Sequence, residues 1–327
     1  MVLRKRVIVL ALIALVIAGL GFWYGRDALR RDPRPAYGVT FSTQYARSLG
    51  LDWRKAFLAT LDDLRVRKFR IPVYWDDVEG ERGNVDWSEV DWMLEQAASR
   101  KAEVILAVGR KTPRWPECHV PAWAERMDET AQRKEVLRFL KEEIGHFKGV
   151  ATVKVWQVEN EPLFQFGKCP PPDRAFLKQE IEMVRSLDTR PIMVTDSGEL
   201  STWIRTGTLG DILGISMYRL VWNKYLGELY WPLSPIYYTD RMNLIGPVVK
   251  KVIISELQAE PWFRKAPDRT PIDEQLSQMD ASRLRSNADF AASTGASEIY
   301  LWGVEWWFWL KSQGHAELWE AARGLYT

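Results

Sequence analysis

Two glutamates stand where apolar runs of the chain end. Val153-Lys-Val-Trp-Gln-Val-Glu-Asn-Glu-Pro162 places Glu161 beside Asn160 just past a strand-like stretch, and Val252-Ile-Ile-Ser-Glu-Leu257 places Glu256 in the same way. A lone carboxyl at a strand end is usually a cap or a surface acid. A pair suits a reaction in which one carboxylate attacks and one carboxylic acid passes a proton. Glycosidic bond cleavage is such a reaction, and its retaining form needs the two groups only ~5–5.5 Å apart. Other chemistries find less support. Three His and two Cys lack the spacing of a metal site, so no metal is expected. No Gly-rich phosphate loop follows Thr40-Phe-Ser-Thr-Gln44, and no cofactor is expected.

Groups so far apart in sequence must be brought together by the fold. Strand-like runs are expected at Tyr37–Phe41, Lys68–Val73, Glu103–Val108, Val153–Val158, Ile192–Thr195, Ile212–Tyr218, Lys251–Ser255 and Glu298–Trp302. Amphipathic helices fall between them. Trp53, Ala56, Phe57, Thr60, Leu61 and Leu64 share one helical face, as do Val90, Met93, Leu94, Ala97 and Ala98, and Leu177, Ile181, Val184 and Leu187. Leu276, Met279, Leu284 and Ala288 continue a similar stripe. Asp86 and Asp173 stand where helix caps belong. Strands alternating with helices imply a parallel sheet, and eight such units imply an α/β fold of the closed (β/α)8 TIM-barrel type over 37–327. Catalytic groups of such barrels sit at the C-terminal ends of the strands, where both glutamates fall.

On these residues the chain resembles the clan A glycoside hydrolases, and within the clan the family 5 cellulase-type enzymes, from Tyr37 onward. Asn160-Glu161-Pro162 is similar to the clan's acid/base motif, in which the Asn meets the sugar 2-hydroxyl. Glu256 matches the nucleophile of the seventh strand. The resemblance implies that Arg70, in Phe69-Arg-Ile-Pro-Val73, pairs with the nucleophile, that Tyr218 hydrogen-bonds it, and that Trp302 is a platform under the reacting sugar. A fixed cation at Arg70 would keep Glu256 charged, while burial near like charge would keep Glu161 protonated. Two positions depart from the family: Ser216 stands where its histidine is usual, and the third strand ends Val108-Gly-Arg-Lys111 without one, though His119 follows on the next loop.

The loops expected around this mouth are aromatic. Gly109–Met127 carries Trp115, Cys118, His119 and Trp123; the loop after Glu161 carries Phe164, Phe166 and Cys169; Arg219–Asp240 and Glu305-Trp-Trp-Phe-Trp309 add more of the 17 Trp. Flat aromatic faces suit sugar rings, and Trp115, His119, Glu305 and Trp306 are the candidate substrate contacts here. An even pair of cysteines on neighbouring loops suggests a Cys118–Cys169 disulfide, two free thiols being the alternative. Net charge is only +2, so no nucleic-acid partner is expected.

Residues 7–24 carry no charge, which suits an uncleaved transmembrane signal anchor between a cytoplasmic stub (1–6) and a linker (25–36) that includes Asp32-Pro-Arg-Pro35. The expectation is therefore a monomeric, membrane-anchored retaining glycoside hydrolase, its catalytic domain extracytoplasmic, acting on a poly- or oligosaccharide. A transglycosylase remodelling surface glycans, or an inactive carbohydrate-binding barrel, are the alternatives.

Overall fold

The computed structural model describes residues 35–326, except for 224, 226 and 264. The expected anchor at 7–24, the stub before it and most of the linker lie outside the described residues. Among the described residues, no helix is long and apolar enough to cross a membrane.

In chain order the strands are β1 (Ala36–Thr40), β2 (Lys68–Pro72), β3 (Glu103–Val108), β4 (Val153–Val158), β5 (Ile192–Ser197), β6 (Ile212–Met217), β7 (Leu220–Asn223), β8 (Gly227–Tyr230), β9 (Lys251–Gln258) and β10 (Glu298–Trp302). Eight of them close a parallel barrel, with β6 paired to β9 and β10 paired back to β1. β7 and β8 form a separate antiparallel hairpin on the loop between the sixth and seventh barrel strands. Barrel strands are covered on both faces, which is why they read as near-continuous Val, Ile and Leu runs. Outer helices shield them. Helix Trp53–Asp62 buries Trp53, Ala56, Phe57, Thr60 and Leu61, and helix Arg174–Leu187 buries Leu177, Ile181 and Val184 along its inner stripe.

Local differences from the sequence reading have local causes. Asp173 caps its helix through the Ala175 and Phe176 amides. Asp86 does not hold the cap position: the helix starts at Ser88, Trp87 precedes it, and Asp86 instead accepts from the Ser88 amide at 2.9 Å. Ala98 lies on the exposed side of its helix. The stripe from Leu276 to Ala288 is divided between helices Ile272–Gln278 and Ala281–Ala292, because Asp280 caps the second through the Arg283 amide. Glu305-Trp-Trp-Phe-Trp309 is not a loop but most of helix Val304–Ser312, which buries Trp306 and Trp307 in the core.

The barrel interior changes character along its axis. Ile105, Met193, Ile253 and Tyr300 form a separate buried apolar cluster. Nearer the C-terminal ends the lining turns polar, and Arg70 of β2 links side chains of β1, β4 and β9. Buried polar groups survive only when they are paired, so this upper layer has to be a connected network.

Candidate active site

Arg70 is the hub of that network. It is fully buried on β2 and donates from Nη1 to Glu256 Oε1 at 2.7 Å, from Nη2 to Asn160 Oδ1 at 2.6 Å and from Nε to Gln157 Oε1 at 2.6 Å. A guanidinium is a rigid fork with five N–H groups, so it fixes three partners in one plane where a lysine could not. Glu256, on β9, receives its second hydrogen bond at Oε2 from the Tyr218 hydroxyl at 2.9 Å. Burial and the neighbouring Glu256 push Tyr218 well above the ordinary phenol range, so it remains a donor.

Glu161 comes from the other side. Glu159 and Glu161 both have left-handed backbone, with φ of 58° and 41°, strain of order 1–3 kcal/mol each that functional sites tolerate when their surroundings enforce it. Here Glu159 supplies the enforcement. Its two carboxyl oxygens accept the Arg110 and Lys111 amides at 2.7 and 2.6 Å, tying the end of β4 to the end of β3. Gly109, with φ of 108°, makes room, since a Cβ there would run into the Glu159 carboxyl. The Glu161 amide is then held by Thr195 Oγ1 at 2.7 Å, and its Oε1 accepts from Ser216 Oγ at 2.7 Å.

Ser216 decides where the two acids meet. On β6 it is the direct neighbour of Glu256 on β9, and adjacent strands lie only about 4.8 Å apart. The residue that bonds one glutamate therefore sits beside the other. Burial, then the charge of Glu256, push the Glu161 carboxyl up to about 8, with the Ser216 hydrogen bond pulling the other way. One acid is held by a cation and a phenol; the other is kept protonated near neutral pH. That division of roles is what acid-assisted displacement requires.

The remaining candidates fall into two groups. Asn160, Arg70 and Tyr218 join the network directly. Trp302 is almost fully buried, and the guanidinium of Arg114 lies over one face of its ring at 4.1 Å. Arg114 is in turn held by Glu260 and by Glu305 at 3.1 Å. Glu305 is fully buried against this arginine and the Ser42 amide, and its carboxyl is raised to about 7 by burial, with Arg114 opposing. His119 is fully buried, its ring tilted against that of Tyr74 at 4.3 Å and bonded at Nε2 to the Arg114 carbonyl. Trp306 is core, its indole N–H on Gln275. None of these three reaches the surface, so they shape the site from behind. Trp115 is 62% exposed at the rim, with Phe166 edge-on at 6.3 Å. Cys118 and Cys169 form a disulfide that joins the two rim loops.

Several site residues carry no signal in the sequence, among them Gln157, Thr195, Arg114 and Glu159, the last overshadowed by its neighbour Glu161. Glu117, on the loop after β3, is buried and accepts from Asn160 Nδ2 at 3.1 Å. Nothing in the local spacing around it signals this placement. Among the described residues, no cluster of His, Cys, Asp or Glu could hold a metal ion.

Neither a family model nor a curated protein matches the sequence. Solved structures do match in fold. They include clan A glycoside hydrolases. GH5_18 from Streptomyces cattleya, solved with GlcNAc, aligns with a TM-score of 0.56 at 12% identity over 83% of this chain and 71% of that one. Xylanase 10B from Thermotoga petrophila, solved with xylobiose, aligns with a TM-score of 0.55 at 14% identity over 82% and 81%. A β-galactosidase from Marinomonas ef1 gives a TM-score of 0.58 at 13% identity, over 89% of this chain but 58% of its own. Another, from Halorubrum lacusprofundi, is covered over 52% of its length, so the chain spans little more than half of either β-galactosidase. At these identities the likeness establishes the TIM-barrel fold.

Proposed function

We propose that this protein is a retaining glycoside hydrolase acting on O-glycosidic bonds of a poly- or oligosaccharide, with Glu256 as nucleophile and Glu161 as acid/base. The observation that carries the reading is the convergence of the two acids through Ser216, which hydrogen-bonds one and neighbours the other. The retaining arrangement, with carboxyls ~5–5.5 Å apart rather than the ~6.5–9.5 Å that admits a water in inverting enzymes, is the one the clan resemblance implies. The resemblance of Asn160-Glu161-Pro162 to the clan's motif, and the fold shared with glycoside hydrolases, support it further.

In the first step a Glu256 carboxylate oxygen bonds to the anomeric carbon as the bond to the leaving oxygen breaks, and Glu161 gives that oxygen its proton. In the second, Glu161 takes a proton from water as the water oxygen displaces Glu256. Arg70 and Tyr218 hold the Glu256 carboxylate ready to attack. Asn160 would meet the sugar 2-hydroxyl, as the resemblance implies, and the exposed Trp115 would stack on a more distant ring. The charge-free run at 7–24 suits a membrane tether, and the extracytoplasmic side for the barrel follows from the proposed substrate, since sugar polymers are met there. The stereochemistry of the first product tests the mechanism: retention is expected, and inversion would exclude a glycosyl-enzyme intermediate.

A further inference from the structure

The third acid of the centre, Glu117, has no part in the two-step scheme, yet the chain around it is arranged to hold it in one place. Its backbone is left-handed, with φ of 75°. Its amide donates to the Arg114 carbonyl at 2.7 Å and its carbonyl accepts the Thr112 amide at 2.9 Å, which closes a tight turn. The next residue, Cys118, is tied to Cys169 on the facing loop. From that loop Gly167 presses on Glu117 so closely that a Cβ at Gly167 would lie 2.6 Å from the Glu117 Cβ. Four separate devices thus aim one side chain at Asn160.

The orientation of the Asn160 amide follows from its partners. Oδ1 accepts from Arg70 Nη2 at 2.6 Å, from Thr195 Oγ1 at 3.2 Å and from Gln157 Nε2 at 3.3 Å. With the oxygen so engaged, Nδ2 faces Glu117 Oε2. Nδ2 carries two N–H groups. Glu117 takes one, which leaves the other as the free donor of a side chain that is otherwise saturated.

We infer that Glu117 is a positioning residue: by accepting one Nδ2–H of Asn160 it locks the amide so that the second N–H is presented to the substrate hydroxyl beside the anomeric carbon. This deepens the glycosidase reading and rests on it. Burial, then the charge of Glu256, push the Glu117 carboxyl up to about 8, so at neutral pH it accepts as an uncharged group and adds no second anion beside the nucleophile. A glutamine can do the same through its carbonyl oxygen; a leucine of similar size cannot.

The test compares Glu117→Gln and Glu117→Leu, each alone and with Asn160→Ala, on an aryl glycoside that the full chain hydrolyses and on its 2-deoxy analogue. Losing one hydrogen bond and leaving its buried donor unpaired is worth roughly tenfold to a hundredfold in rate. Glu117→Leu should lower kcat/KM by about that factor on the hydroxyl substrate, within a few-fold of wild type on the 2-deoxy one, and add nothing when Asn160→Ala is present. Glu117→Gln should stay near wild type on both. Equal losses on the two substrates, an undiminished loss in the Asn160→Ala background, or no loss at all would overturn the inference. If Glu117→Leu does not fold, by its near-ultraviolet circular dichroism, Glu117→Ala takes its place in the same comparison. Failure of the underlying reading looks different: Glu256→Ala would then turn over the glycoside as well as wild type does.

Discussion

Ser216 is the lever through which the acid can be moved without touching either glutamate. Its hydroxyl donates to Glu161 Oε1 at 2.7 Å in a buried setting and favours the charged form of that carboxyl, opposing the burial and the Glu256 charge that raise it to about 8. Ser216→Ala removes the donor and little else. A hydrogen bond to a charged group is worth about 1 kcal/mol more than the same bond to a neutral one, so the Glu161 carboxyl should rise by roughly 0.7 pH unit. Glu161 must be protonated to act as the acid, so activity is lost as pH rises through its pKa, and a higher pKa carries that loss to higher pH. The assay is the pH dependence of kcat/KM, which reports the free enzyme, on a glycoside whose poor leaving group needs the proton. The alkaline limb of Ser216→Ala should move upward by about that amount, with the plateau rate retained. A limb that stays in place or moves downward would refute the assignment of Glu161 as the acid held by Ser216.

Two further outcomes follow from the same structure. Arg70→Met should destabilise the barrel by about 3–5 kcal/mol in a denaturant titration, because it strands the buried Glu256 carboxylate without its cation; a change below about 1 kcal/mol would mean the pair is not buried in solution. If residues 7–24 are a tether with the barrel outside, protease added to intact cells should digest the catalytic domain, and protection of that domain would count against the topology.

The barrel was legible because its strands are buried on both faces. Runs such as Glu103–Val108 and Val153–Val158 announce themselves by composition, and the structure keeps their bounds. The hairpin of β7 and β8 was not, since Leu220–Asn223 grades from buried to exposed without alternating, inside a stretch rich in aromatics. The Trp-rich segment after β10 reads as a loop, whereas it is helix Val304–Ser312 with Trp306 and Trp307 in the core, and only packing decides this. In the site, strand ends made Glu161 and Glu256 visible. Trp302 was correctly placed at a strand end, but the arginine covering it arrives from the loop after β3, a partner that no local pattern names. Glu117 is the extreme case. Its place depends on a left-handed turn, a disulfide and a glycine fifty residues away, and no short motif encodes those together.

Central to the proposed reaction is a sugar bonded for a moment to Glu256. Nuclear magnetic resonance, following an aryl glycoside in the first minutes of hydrolysis before mutarotation, reads this directly. The newly released sugar should carry the anomeric configuration of the substrate; appearance of the opposite anomer first would contradict a double displacement and the pairing of Glu161 with Glu256 on which it depends.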